Sequence, residues 1–449
     1  MNLLLSILLS VTLFPVQQQE AKPRQGAFAV TNVHIETVSN GALENGTIVV
    51  RGDRIEAVGT NVAIPADAEV IDGTGLSVYP GMFDSGTQLG LTEIGSVDET
   101  TDASEIGDFT PQMQALTAIN PNSVLIPVTR VSGVTTVLSE PSGGMFPGTA
   151  ALINLVGYTP EQMSAGGVRM LVLSFPARRS GGGRFFGGGP AAGGNRDPDA
   201  VYKREMEKLN EIWDRAELYE RIDATHSADP GVGERPEYVP EMAAILPVLR
   251  GEMSLMVRVD AEKDIIAAIE WVGAREVPRV VFSGVSEGWR VADKLAEAGI
   301  PCIVGPVLAT PTRDSDRYDK AYANAGLLQE AGVKVALRTG EAENVRNLPF
   351  NAGFAATYGM GKEAALRAVT LSPAEIYGID ADYGSIEAGK KANFLISDGD
   401  PFETSTQIVG LFIDGFNVPI ESQHIRLYEE FLNRDEGRIQ PVEVVPAAN

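Results

Sequence analysis

Four near-continuous apolar runs, MSLMVRV, RVVFSGV, CIVGPVL and KVALRTG, begin near Ser254, Arg279, Pro301 and Val333, at intervals of 25, 22 and 32 residues. Strands covered on both faces need such runs, because neither side of the strand meets water. Between them, Asp264–Val272, Trp289–Ala298 and Tyr318–Ala331 carry apolar residues three and four positions apart, the period of a helix packed on one side. Strand and helix units repeating at this interval predict an α/β protein with a parallel sheet. Over about 300 residues they favour a closed (β/α)8 TIM-like barrel, with an open doubly wound sheet as the alternative.

The two ends of the chain have a different texture. Ala27–Gly59 holds the short runs AFAVTNVHIETV, GTIVVRG and RIEAVG, separated by Asn-Gly, Gly-Asp and Gly-Thr turn signals. ANFLIS (392–397) and IVGLFID (408–414) repeat that pattern near the other end. Each end alone would leave an apolar face open to water, so the two are expected to pair into one small β-sandwich. The expected plan is a leader over 1–21, the first part of the sandwich over 27–80 and a barrel over 81–380. The sandwich then returns over 381–420, and a helix and tail fill 421–449.

Within the barrel region, Pro198–Ala224 is the plainest helix. Asp197 stands at its N-cap, Pro198 in its first turn, and Leu209, Ile212, Trp213, Ala216 and Tyr219 form one stripe. The glycine-rich insertion 178–196, including SGGGRFFGGGPAAGG, precedes it and cannot sustain a helix or strand. It reads either as a lid carrying Phe185 and Phe186 or as an insertion without regular structure. No Gly-Lys-Ser/Thr follows to make it a phosphate loop. Arg426–Arg438 is expected to be one exposed amphipathic helix.

Charge and composition exclude several partners. A net charge of −24 repels nucleic acid and anionic lipid. The single cysteine, Cys302, lies in an apolar run and reads as a core residue. Leu3–Val16, an apolar run of 14 residues, has the length of a secretory signal and is too short to span a bilayer. Export to a periplasmic or extracellular location is expected, with no integral membrane segment in the mature chain. Asp98–Glu105 (DETTDASE) is acidic but lacks the spacing of a calcium loop, so it reads as a solvated loop.

Two segments taken together resemble the amidohydrolase superfamily, and most of all its imidazolonepropionase-related branch. VIDGTGLSVYPGMFDSGTQLGL (70–91) is similar to that family's passage from the sandwich into barrel strand 1, usually Pro-Gly-apolar-apolar-Asp-x-His-x-His. AVTLSPAEIYGID, YGSIEAGKKANFLISDGDP and LFIDG (368–415) resemble its last barrel helix and the return to the sandwich. SGVTTVLSEPSGG (132–144) and RNLPFNAGFAATYGM (346–360) also fit.

In the family, histidines on strands 1, 5 and 6, a lysine or glutamate on strand 4 and an aspartate on strand 8 hold zinc or another divalent metal. The metal generates hydroxide at neutral pH, and the aspartate shuttles its proton. Here the strand-1 pair falls on Gly86 and Gln88, strand 5 on Arg258, strand 6 on Ser283 and Gly284, and strand 8 on Gly340 followed by Glu341. The three histidines, His34, His226 and His424, lie in the sandwich, in the loop after the long helix and near the C-terminus. No metal cofactor is therefore expected, since a zinc site needs three or four donors.

Two functions stand open. One is a hydrolase acting on non-peptide C–N bonds of small cyclic amides by a metal-independent route, with Glu341 as candidate base if burial raised its pKa. The other is a catalytically inactive barrel that binds a small ligand or a partner subunit, a second copy of the chain included. The groups expected at the mouth, where strands of such barrels end, are Gln88, Glu93, Glu140, Arg258, Ser283 and Arg338. Arg258 with a nearby acid can equally form a structural ion pair in the emptied site.

Overall fold

A computed structural model describes residues 22–178, 197–231 and 236–434. The expected leader, the glycine-rich run 179–196 and the last residues of the tail lie outside the described residues.

Six strands open the chain: β1 (Arg24–Gln25), β2 (Ala27–Glu36), β3 (Ala42–Arg51), β4 (Arg54–Gly59), β5 (Glu69–Asp72) and β6 (Ser77–Pro80). Eight follow: β7 (Met82–Thr87), β8 (Val134–Ser139), β9 (Gly148–Asn154), β10 (Ser164–Ser174), β11 (Ser254–Val259), β12 (Val280–Gly284), β13 (Cys302–Val304) and β14 (Val335–Leu337). The last three, β15 (Phe394–Ser397), β16 (Ile408–Ile413) and β17 (Phe416–Asn417), return to the first six.

The end strands form one sheet in the order β1-β17-β16-β15-β6-β2-β3-β4, with β5 beside β2. This sheet folds over on itself. Phe412 of β16 stacks on Phe394 of the neighbouring β15 at 4.6 Å, yet its ring also meets Phe28 of β2, three strands away, at 5.3 Å. The two halves thus enclose a small core of their own, as paired apolar faces from both ends of the chain require.

β7 to β14 lie side by side in chain order, and the seam closes where the Gly340 N–H donates to Gly86 O at 2.9 Å. The barrel differs from the expected all-parallel plan at one strand. β9 runs antiparallel to both β8 and β10, while every other pair in the sheet is parallel. A fully buried apolar run such as GTAALIN has no alternation to reveal its direction, and the eight residues 140–147 suffice for a hairpin but not for a crossover helix.

Alternation along the strands sorts the buried side chains into two cores. Phe83, Leu138, Leu152, Val172, Met256, Val281, Ile303 and Ala336, one from each strand, meet inside the barrel. Their sequence neighbours Met82, Val137, Ile153, Leu171, Val257, Phe282, Val304 and Leu337 face the surrounding helices. Burying each larger side chain contributes roughly 1.5–3 kcal/mol. At the floor, Thr136 donates to Asn154 Oδ1 at 2.9 Å, and Asn393, just before β15, donates to the same atom at 3.1 Å. Asn393 also accepts from Asp414 N at 2.6 Å, which fastens the sandwich to the barrel.

The long helix spans Pro198–Ala228, with the Asp197 carboxylate accepting from Asp199 N. It therefore includes His226, which sequence reasoning placed in a loop. Pro230, not the earlier residues, is what stops it. Trp289–Ala298 is a short 3-10 turn, Gly288–Arg290, followed by the helix Ala292–Glu297, and the C-terminal helix covers Gln423–Leu432. It starts three residues before the expected Arg426, where Ser422 caps it. Cys302 is fully buried, and burial pushes its thiol pKa up, as a core residue requires. No helix among the described residues is long and apolar enough to cross a membrane.

Candidate functional site at the barrel mouth

Two residues beyond the apolar interior layer, the same inward face carries polar groups. Leu138 leads to Glu140, Met256 to Arg258, Val281 to Ser283 and Ala336 to Arg338. β7 joins them through a bulge: between Asp84 and Thr87 it carries three steps where β8 has two, from Val137 to Ser139. The extra residue switches which face points inward. Gly86 then faces the cluster, and a Cβ there would run into Glu140 Oε1 and lie 2.8 Å from Arg338 Cζ.

The cluster centres on Glu140, whose side chain is only 1% exposed. Arg258 donates to Glu140 Oε2 through Nε at 3.0 Å and Nη2 at 2.5 Å, and Nη2 also reaches Pro141 O at 2.7 Å. Arg338 lies across the carboxylate, with Nη1 3.2 Å from Oε1, and donates from the same nitrogen to Ser283 Oγ at 2.6 Å. The alignment to Oε1 is too poor for a hydrogen bond, so Oε1 is buried without one. Ser85 Oγ and the Tyr377 hydroxyl are also buried without partners. Burial pushes the Tyr377 phenol pKa up. Two guanidiniums share the Glu140 carboxylate, and Arg338 also acts on the Asp84 carboxylate beneath it.

Beneath this cluster, Asp84 is fully buried and ties the seam. Its Oδ1 accepts from Gly86 N at 3.1 Å and from Thr339 N at 3.2 Å, and its Oδ2 accepts from the Thr339 hydroxyl. Burial outweighs these donors and raises its pKa to about 6. Asp84 and Thr339 were not among the residues picked from the sequence, although Asp84 is the aspartate of the strand-1 run that resembles the family.

Other candidates lie apart. Gln88 is half-buried, and its amide oxygen accepts from Thr92 at 3.4 Å. Glu93 holds Asn120 and Ser123, each at 3.0 Å, and so braces two loops. Glu341 is exposed and accepts from Asn344 at 2.8 Å, so it lacks the desolvation that its role as a base demanded. His34 lies between Glu36 and Glu44 on the sandwich, and His226 and His424 are on helices.

These residues do not fit a divalent metal. The positions that the resemblance assigns to ligands hold Gly86, Gln88, Arg258 and Gly340, which offer no imidazole or carboxylate, and the Glu140 carboxylate is enclosed by two cations. Among the described residues, no group of three or more His, Cys, Asp or Glu could hold a metal ion.

A crystal structure of an amidohydrolase from Thermotoga maritima MSB8 superposes on this chain with a TM-score of 0.74 at 23% identity, covering 87% of this chain and 99% of that one. This protein has the amidohydrolase fold. A molinate hydrolase structure superposes more loosely, with a TM-score of 0.52 at 17% identity, covering 88% and 95%. Residues 281–418 match the amidohydrolase family profile. In sequence, the chain is 25% identical over 379 residues to amidohydrolase tasK of Hapsidospora irregularis, covering 78% of this chain and 37% of that protein. It is 34% identical over 116 residues to an imidazolonepropionase of Shouchella clausii, covering 25% of each. The match thus spans little more than a third of the first curated relative and a quarter of the second.

Proposed function

We propose that this amidohydrolase-fold protein does not carry out metal-assisted hydrolysis and instead binds a small anionic ligand at its barrel mouth. The observation that supports this reading is the pairing of Glu140 with both Arg258 and Arg338 where the family's first imidazole would stand. Arg258 keeps 22% of its side chain exposed, so one cationic edge faces incoming solute. Its Nε and Nη2 are taken by Glu140 and Pro141, which leaves Nη1 to donate to a carboxylate oxygen.

The 34% match favours the imidazolonepropionase-related branch as the origin of the fold. Small cyclic amides are therefore the substrates to assay for any remaining metal-independent hydrolysis. Glu341 is exposed, so it lacks the burial that a base for such a reaction would need. The apolar run Leu3–Val16 supports export of the chain.

The test combines metal analysis of protein exposed to excess zinc and then dialysed, turnover on a panel of cyclic amides and N-acyl compounds, and titration with small carboxylates. Substoichiometric metal, background turnover and saturable binding weakened at least tenfold by Arg258→Met are expected. Stoichiometric zinc with zinc-dependent turnover would overturn the reading.

A further inference from the structure

On the side of the barrel, a surface cleft of about 250 Å³ separates the helix Leu125–Arg130 from the C-terminal segment. Arg130 and Val124 line one wall, with Asn122 beside them, and Glu421, Gln423 and Arg426 line the other. Arg130 has an unusual environment. Its Nη1 donates to Leu155 O at 3.3 Å, its Nε is buried with no partner, and no carboxylate among the described residues lies within ion-pairing distance. Burial pulls its pKa below the ordinary arginine value, with no acid to offset it.

Arg130 is half-buried, and shielding most of a guanidinium from water without a counter-charge is costly unless an anion at its open side offsets it. The cleft is large enough for such an anion and opens to solvent at Val124, which is 56% exposed. Its lining also limits the ligand's charge: Glu421 is exposed at the rim and forms no ion pair among the described residues, so it disfavours a dianion such as phosphate. The amides of Asn122 and Gln423 can donate to a carboxylate oxygen.

We propose that this cleft is a binding site for a small molecule with a single carboxylate, received by Arg130. It is separate from the mouth, because neither Arg258 nor Arg338 lines it.

Thermal unfolding of the full chain in sodium propionate, against sodium chloride and sodium phosphate of equal ionic strength, tests the idea. Propionate is expected to raise Tm saturably by roughly 1–3 °C more than either control. Arg130→Met should abolish the part of that rise due to this site. Val124→Trp, which fills the opening from an exposed position, should do the same and serves if Arg130→Met does not fold. Crystals soaked in 4-bromobenzoate should show anomalous density beside Arg130. An equal rise in chloride, an undiminished rise in both variants, or bromine found only at the mouth would overturn the proposal. Failure of the mouth reading would instead appear as loss of the Arg258-dependent binding alone.

Discussion

The two ends of the barrel interior solve the same problem differently. At the floor, Thr136, Asn154 and Asn393 exchange hydrogen bonds between neutral groups and link the barrel to the sandwich. At the mouth, two arginines converge on one glutamate, and an oxygen of that glutamate, a serine hydroxyl and a phenol remain without hydrogen bonds. A satisfied neutral network is an inexpensive fastening. A charged one with unmatched atoms contributes little net stability, so its presence at the end where such barrels work points to recognition.

The largest test of this contrast removes one member from each end. Glu140→Ala leaves two guanidiniums facing each other and should cost roughly 3–5 kcal/mol in urea unfolding, whereas Asn154→Ala at the floor should cost about 1–3 kcal/mol. The reverse order would mean that the floor, not the mouth, carries the strained interactions.

Next comes the seam between them. The folded pKa of Asp84, about 6, lies above its unfolded value, so the folded state holds the extra proton between about pH 4 and 6. The stability contributed by this group is full below that window and is lost as pH rises through it. Asp84→Asn keeps a donor for the Thr339 hydroxyl oxygen and an acceptor for the two N–H groups. Relative to the wild type, it should gain roughly 2–3 kcal/mol between pH 4 and pH 7 in paired unfolding curves.

Gly86→His restores the imidazole of the resembling family. It should cost roughly 1–3 kcal/mol by overpacking and recruit no zinc, read by thermal unfolding and metal analysis. The smallest effect belongs to Glu341→Gln, expected to change stability by less than about 0.5 kcal/mol and ligand binding not at all.

Much of the architecture was legible because periodicity reports burial. The runs near Ser254, Arg279, Pro301 and Val333 became β11 to β14, and the terminal meanders became one sheet. The direction of β9 was not legible, since a strand buried on both faces reads alike either way. Glu140, Arg258, Ser283 and Arg338, which the structure brings into one cluster, were picked by position along the strands alone. Their partnership was not, because 118 residues separate Glu140 from Arg258 and only closure of the barrel brings them together. Gly86 could be read as a missing ligand, but its steric role depends on a bulge that no composition signals. Thr339 gave no signal at all, because a lone threonine in ALRTGE acquires meaning only opposite Asp84.

The reversed β9 limits how this protein can change. In an all-parallel barrel every strand delivers its own loop to the working face, and each loop can lengthen independently. Here Glu140 opens a tight hairpin whose two arms are neighbouring staves of the wall, so one side of the rim is tethered at both ends. New specificity, or motion that admits a solute, must arise elsewhere on the rim, from the segments that follow β7 and β10 to β14.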